Sequence, residues 1–248
     1  MRPFALIEQA MSAMYLALYL PLLTLSLLPG VCFIFWAFDW SESLMPIFRI
    51  IMISLAISST YLIHQFLLPL FCGVIFRILP IRYPSGKFSL YSWNGVKWAT
   101  CNTLHRISRR HFPLYLIPSW YANLYYRIMG AKVAKGAHVN SLLINDPQHV
   151  SIGRGAVIGG GAIINSHSVE GDILYVAKNN IGDKATVGLG SVLLSGACVG
   201  SSAILGARSF VPKNRTIPPG ERWVGVPAKK IGRRSGGSDS HATHDMSS

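Results

Sequence analysis

Between Ile152 and Val211 an aliphatic residue returns every six positions, and no other feature of the chain narrows its fold so far. Ile152, Ile158 and Ile164 make one run, and Ile181, Val187, Leu193, Val199, Leu205 and Val211 make a second. Glycine stands one place after most of them, at Gly153, Gly159, Gly182, Gly188, Gly200 and Gly206. A small residue stands four places after, from Ala156 and Ala162 to Ala203 and Ser209. This period matches neither an amphipathic helix nor an alternating strand; it is that of a parallel β-helix, in which each hexad forms one short face and one turn. The pattern predicts aliphatic side chains stacked inward and small residues where the interior is crowded, with glycines supplying the unusual backbone angles of the corners.

The 248 residues allow one such domain and an appendage. A net charge of +13 on a chain that is half apolar excludes both a nucleic-acid-binding tail and an ordinary soluble enzyme. The four cysteines, Cys32, Cys72, Cys101 and Cys198, show neither disulfide nor zinc spacing, which suits a reducing compartment. Ala10 to Phe38 carries no charged residue and exceeds the roughly 20 residues that cross a bilayer. Leu44 to Pro80 adds only Arg49, His64 and Arg77 as ionisable groups, enough for a second crossing from about Ile47 to Leu70. A cleaved signal peptide fits less well, because the first run is too long and no small-residue cleavage site follows it. Asp39 and Glu42 occupy the connection, whereas Arg2, Arg77, Arg82 and Lys87 flank the outer ends. Basic flanks mark the cytoplasmic side, so an integral membrane protein with both termini and the β-helix in the cytoplasm is expected.

From Arg82 to Met129 basic residues interleave with Trp93, Trp98, Trp120, Tyr121, Tyr125 and Tyr126. A nucleic-acid surface has this composition, but directly after two spans it reads as interfacial helices on anionic lipid. Ser119 and Gly130 bracket a helix from about Ser119 to Met129. The first coil starts at Val133, and the thirteen-residue step from Val139 to Ile152 places a bulge within Leu142 to His149. Ile164 to Ile181 is seventeen residues where one full coil needs eighteen, and Glu170 to Asn180 has no hexad character, so a loop leaves the prism there. Loops on rigid scaffolds are where chemistry sits. The domains expected are a hairpin (1–81), a basic aromatic linker (82–130), the β-helix (131–231) and a disordered tail (232–248).

The hexads, together with Tyr126-Arg127-Ile128-Met129-Gly130-Ala131-Lys132 and Arg222-Trp223-Val224-Gly225-Val226-Pro227-Ala228-Lys229, resemble the hexapeptide-repeat acyltransferases. That resemblance implies a left-handed, three-sided β-helix with three hexads per coil, a thioester donor and a homotrimer with sites between subunits. Asn165-Ser166-His167 followed by Glu170-Gly171 is similar to the membrane-embedded C-terminal module of poly-lysine-type nonribosomal peptide synthetases, where a threonine-histidine pair precedes an acidic-glycine turn. Serine stands here in place of that threonine, and no adenylation or carrier domain accompanies it, so the substrate is not carried over.

His167 and His149 occupy the fourth places of hexads eighteen residues apart, about one coil along one face, while His138 is out of register. The functional reading makes His167 a general base for a hydroxyl or amine acceptor, with Glu170 or Asp146 orienting the imidazole and His149 as the substitute base. The bland reading is a solvated corner histidine. Zinc is the competing idea, but carbonic anhydrases of this fold pair two histidines five apart and no such pair exists, so no metal is expected. In hexapeptide enzymes the C-terminal stretch lines a pantetheine slot. This implies Gly206, Ala207, Arg208, Lys213, Arg215, Val224, Gly225, Lys229 and Lys230 as contacts for coenzyme A or a phosphopantetheinyl carrier protein. A cationic cap closing the solenoid explains the same residues. The reading is a membrane-anchored acyltransferase; the alternative is a non-catalytic trimeric scaffold that assembles partners at the membrane.

Overall fold

The computed structural model describes residues 3–233; the tail expected from 232 loses its first two residues to the strand Ala228–Arg233, and the rest of it, with His241 and His244, lies outside the described residues. Two helices come first, α1 (Pro3–Trp40) and α2 (Pro46–Ile78). They run antiparallel: Thr60 Oγ1 donates to Gly30 O at 2.9 Å, and Ser26 Oγ meets His64 Nδ1 at 2.7 Å. Glycine is required at position 30, where a Cβ would lie 2.3 Å from Thr60 Cγ2. Both helices are long and apolar enough to cross a membrane, yet only 17% and 11% of their most apolar windows are buried. Leu16, Leu20, Phe35, Ile50 and Leu55 face outward. A core helix of a soluble domain would bury these side chains.

The linker helices, expected at a lipid interface, bury one face within the protein. Helices α3 (Trp93–His111) and α4 (Trp120–Ile128) pack between the hairpin and the β-helix, burying Leu104, Ile107, Tyr121, Tyr125 and Tyr126. The tyrosines tolerate burial because their hydroxyls find internal partners: Tyr121 donates to Phe66 O at 2.6 Å and Tyr126 to Ser141 O at 2.8 Å. Trp93 and Trp120 stay exposed. Ser119 caps α4 by accepting from the backbone N–H groups of Tyr121 and Ala122, as its sequence predicts.

The hexads form three parallel sheets wound as a β-helix. Ile152, Ile181, Val199 and Ile217 stack on one face, Ile158, Val187, Leu205 and Trp223 on the second, and Ile144, Ile164, Leu193 and Val211 on the third. The register advances by eighteen residues in the regular coils, from Ile181 to Val199 and from Val187 to Leu205. Buried Ala156, Ala162, Ala185, Ala197 and Ala203 fill the crowded positions.

The glycines after the aliphatic residues have a different job from the one expected. None of those six adopts a positive φ; the left-handed corners fall two places later, at Gly155, Gly161, Lys184, Gly190, Ser202 and Arg208. Glycine is needed at positions such as Gly182 because the next coil passes too close: a Cβ there would meet Ser201 N at 2.4 Å.

Both irregularities resolve in the pairing. Ile144 is the third-face residue of the first coil, pairing with Ile164, and the short helical turn Pro147–His149 supplies the bulge expected in Leu142 to His149. Ile181 stacks on Ile152 at twenty-nine residues, not on the face of Ile164 as the seventeen-residue count suggested. The difference from eighteen is an eleven-residue insertion. It is no irregular loop: the strands His167–Glu170 and Ile173–Val176 form a hairpin, and Gly86–Ser89 pairs with its outer edge to make a three-stranded antiparallel sheet.

Candidate active site

The hairpin places His167 over the buried carboxylate of Asp146. Asp146 follows the strand Ile144–Asn145 and precedes the turn Pro147–His149, with a left-handed φ of 55° that aspartate tolerates better than most residues. His167 opens the hairpin, its backbone opposite Val176, which in turn faces Gly86. Its Nδ1 lies 2.5 Å from Asp146 Oδ2. The other oxygen, Oδ1, accepts from Tyr83 Oη at 2.7 Å, Trp98 Nε1 at 3.1 Å and Asn102 Nδ2 at 3.2 Å. Trp98 and Asn102 stand four apart on α3 and so share one face of it. The Trp98 ring also meets the His167 ring edge-on at 5.1 Å.

Burial alone would raise the Asp146 pKa, but the hydrogen bonds from His167, Tyr83 and Asn102 outweigh it and hold the carboxyl below its ordinary value. An ionised Asp146 accepts only, so His167 donates through Nδ1–H. The lone pair is thereby assigned to Nε2, on a side chain that keeps about 20% exposure.

The remaining candidates separate from this pair. Glu170, at the far end of the hairpin strand, ion-pairs with Lys213 and does not orient the imidazole; three residues along a strand carry it too far from His167. His149 is not stacked one coil below His167 in a hexad. It closes the short turn Pro147–His149, its ring 5.1 Å from that of Tyr83 and its Nδ1 3.3 Å from Ser85 Oγ. Its burial, aided by Lys178, lowers its pKa, and its Nε2 has no hydrogen-bond partner among the described residues. It lines a cleft of about 820 Å³ with Arg82, Tyr83, Tyr175 and Lys178. Tyr83 joins that cleft to the dyad, since the same side chain donates to Asp146.

The nine residues expected in a donor slot also divide. Gly206, Val224 and Gly225 come together where the last coil meets its closing strand: Gly206 N donates to Trp223 O, a Cβ on Gly206 would meet Val224 Cγ1 at 2.5 Å, and Gly225 N donates to Ser209 Oγ at 3.1 Å. Ala207, Arg208 and Lys229 are exposed beside them. Three cations are already engaged: Lys213 on Glu170, Lys230 on Glu221 at 2.6 Å, and Arg215 over the Trp223 ring at 5.1 Å. Lys230 and Arg215 tie down the closing strand and Lys213 ties to the hairpin, whereas Arg208 and Lys229 make no ion pair among the described residues. Among the described residues no group of three or more His, Cys, Asp or Glu could hold a metal.

Comparison with known proteins follows the same lines. The chain resembles hexapeptide-repeat acyltransferases. It is 26% identical over 183 residues to delta-poly-L-ornithine synthetase of Acinetobacter baumannii strain AB307-0294, a match covering 73% of this chain but only 13% of that protein's length. Among solved structures, maltose O-acetyltransferase from Clostridium difficile 630 has 18% identity and a TM-score of 0.47, over 61% of this chain and 94% of that one. A hexapeptide-repeat acetyltransferase from Vibrio cholerae O1 biovar eltor, complexed with acetyl coenzyme A, has 19% identity and a TM-score of 0.40, over 43% and 62%. No family model matches. With TM-scores this low, the fold rests on the strand register described above.

Sequence reasoning missed Tyr83, Trp98 and Asn102, the donors that keep Asp146 charged. The one available signal was the spacing of Trp98 and Asn102 on a helix that lacks acidic residues.

Proposed function

We propose that the protein is a membrane-anchored acyltransferase in which His167 is the general base. The observation that carries this is the His167–Asp146 contact, with every polar neighbour of the carboxylate aimed at keeping it ionised. His167 Nε2 takes the proton of an acceptor hydroxyl or amine as that group attacks the carbonyl of an acyl or aminoacyl thioester. The imidazolium formed is stabilised across its Nδ1–H by Asp146. As the tetrahedral intermediate collapses, the carbon–sulfur bond breaks and Nε2–H returns its proton to the departing thiolate.

The donor is coenzyme A or a phosphopantetheinyl carrier protein, held at Gly206, Val224 and Gly225 with Arg208 and Lys229 on its phosphates. The exposed apolar faces of α1 and α2 support two membrane crossings. The acidic connection and basic flanks favour a cytoplasmic β-helix. A homotrimer would set the hairpin of one copy beside the donor slot of the next.

The test is thiol release from acyl-coenzyme A and acyl-carrier thioesters by the detergent-purified protein, across a panel of hydroxyl and amine acceptors. His167→Asn should lower turnover by about 10²-fold or more while leaving assembly intact. Turnover within about threefold of wild type would remove His167 as the base and turn attention to the scaffold reading.

A further inference from the structure

Away from the dyad, a cavity of about 1070 Å³ opens between α1 and α3. One wall is cationic, with Arg106, Arg109 and Arg110 from α3. The opposite wall is aromatic and aliphatic, with Tyr15, Leu16 and Tyr19 from α1, the two tyrosine rings stacked at 5.5 Å. The dipole at the α3 C-terminus accounts for basic residues in its last turn, but not for Arg106 a turn earlier or for the open space they share. Among the described residues no ion pair involves these arginines, and residues 1–38 contain a single carboxylate, Glu8.

The cavity wall is held by a chain of hydrogen bonds. Ser26 Oγ lies 2.8 Å from Leu23 O and 2.7 Å from His64 Nδ1. His64 Nε2 meets His111 Nδ1 at 3.0 Å, and His111 Nε2 meets Tyr19 Oη at 2.9 Å. All members are satisfied as neutral groups, and the chain ties α1 to α2 and α3. Ser12, Tyr15 and Thr103 add hydroxyls to the lining, and the arginines are the cationic groups in it that an anion would meet. The arginine wall asks for phosphate, which guanidinium groups bind through two parallel N–H donors, and the α1 wall asks for hydrocarbon. Leu16 and Leu20, each 66% exposed, continue that apolar wall along α1.

We propose that this cavity binds the phosphate head of an anionic membrane lipid, with the arginines of α3 on the phosphate and the acyl chains running along Leu16 and Leu20. The proposal rests on the membrane reading of the hairpin, which has its own test: the full-length protein should stay with membranes through an alkaline wash. Release by that wash would sink the membrane reading, whatever the lipid binding.

For the site itself, full-length protein purified in detergent and stripped of lipid is titrated with phosphatidylglycerol and with phosphatidylcholine, following retained adducts by native mass spectrometry. Wild type should prefer phosphatidylglycerol, and Arg106→Gln/Arg110→Gln should lose about tenfold or more of that preference, from two lost cation–phosphate contacts. Equal binding of the two lipids, or an unchanged preference in the double variant, overturns the proposal. Inorganic phosphate and coenzyme A serve as competitors. Displacement of phosphatidylglycerol by either at comparable concentration would assign the arginines to a soluble phosphate ligand and overturn the lipid assignment. Should the double variant misfold, Arg106→Gln alone, at an exposed side chain, gives the same readout with a smaller loss.

Discussion

His167 Nδ1 stands 2.5 Å from Asp146 Oδ2: the two residues belong to neighbouring coils, and the parallel pairing of Ile144–Asn145 with Ile164–Asn165 sets them side by side where the hairpin begins. The contact fixes which ring nitrogen carries the proton. In Asp146→Asn the amide can present its N–H₂ to Nδ1, which moves the histidine proton to Nε2 and removes the base. Turnover should fall by about 10² to 10⁴, as for loss of a positioned proton acceptor, with the assembly unchanged in size. Thiol release by the folded variant at near-wild-type rates would show that Asp146 only braces the hairpin. Asn102→Ala should cost less than Asp146→Asn, since Tyr83 and Trp98 still donate to the same oxygen.

The hexads were legible because each is a local unit. The same six-residue rule that names Ile181, Val187 and Leu193 in the sequence puts them on successive faces. The insertion was legible only as a break in that rule. Its strands are four residues long, and the strand that completes their sheet, Gly86–Ser89, lies some eighty residues earlier in the chain. Asp146 shows the same limit. Its donors Tyr83, Trp98 and Asn102 are 63, 48 and 44 residues away, and nothing in local periodicity links a buried carboxylate to donors at that distance. The burial of the α4 tyrosines was illegible for a related reason: their hydroxyl partners lie in the hairpin and the β-helix, far from them in the chain.

Acid should destabilise the fold well above the carboxylate range. His105 on α3 is buried against the Tyr125 hydroxyl at 2.7 Å, and burial, aided by Arg109 and opposed by Asp146, pushes its pKa down to about 4. With an unfolded value near 6.5, the unfolded chain takes up the proton first. The contribution of His105 is thus fully present above pH 6.5 and is lost as the pH falls toward 4, amounting to about 3 kcal/mol over that window. Burial of His149 acts in the same direction. Thermal unfolding in detergent at pH 7.5 and pH 4.5 should show the loss, and His105→Gln should shrink the difference between them. A pH dependence identical in His105→Gln would mean that other groups carry it.

Two kinds of glycine in the solenoid should respond differently to alanine. At Gly182 a Cβ would lie 2.4 Å from Ser201 N, and backbone on the neighbouring coil cannot rotate away. At Gly161 a Cβ meets nothing within 4 Å, and only the left-handed φ of 64° opposes it. Gly161→Ala should therefore cost about 1 kcal/mol, the ordinary penalty for a side chain in that region. Gly182→Ala should cost more, about 1–3 kcal/mol of overpacking on a stack with no slack. Denaturation midpoints of the two variants read the order directly, and the reverse order would mean that backbone angle, not the spacing of the coils, selects these glycines.

The membrane topology can be read from two engineered cysteines. Arg77, at the end of α2, donates through Nε to Ile128 O at 2.8 Å and through its other nitrogen to Arg127 O, which binds the outer end of the hairpin to α4 and so to the start of the β-helix. The connection between α1 and α2 lies at the opposite end of the hairpin. Within it Ser41 is buried, whereas Ser43 is exposed and is the better position to probe. In a background with Cys32→Ala, Ser43→Cys should react with an impermeant maleimide in intact cells. Lys135→Cys, exposed on the first coil, should react only after the membrane is opened. The charge asymmetry, with Asp39 and Glu42 in the connection and Arg77, Arg82 and Lys87 at and beyond the end of the second helix, is the ground for expecting this order. Labelling of Lys135→Cys alone in intact cells would turn the β-helix outward, away from any cytoplasmic coenzyme A or carrier protein, and a thioester donor would then have no route to His167.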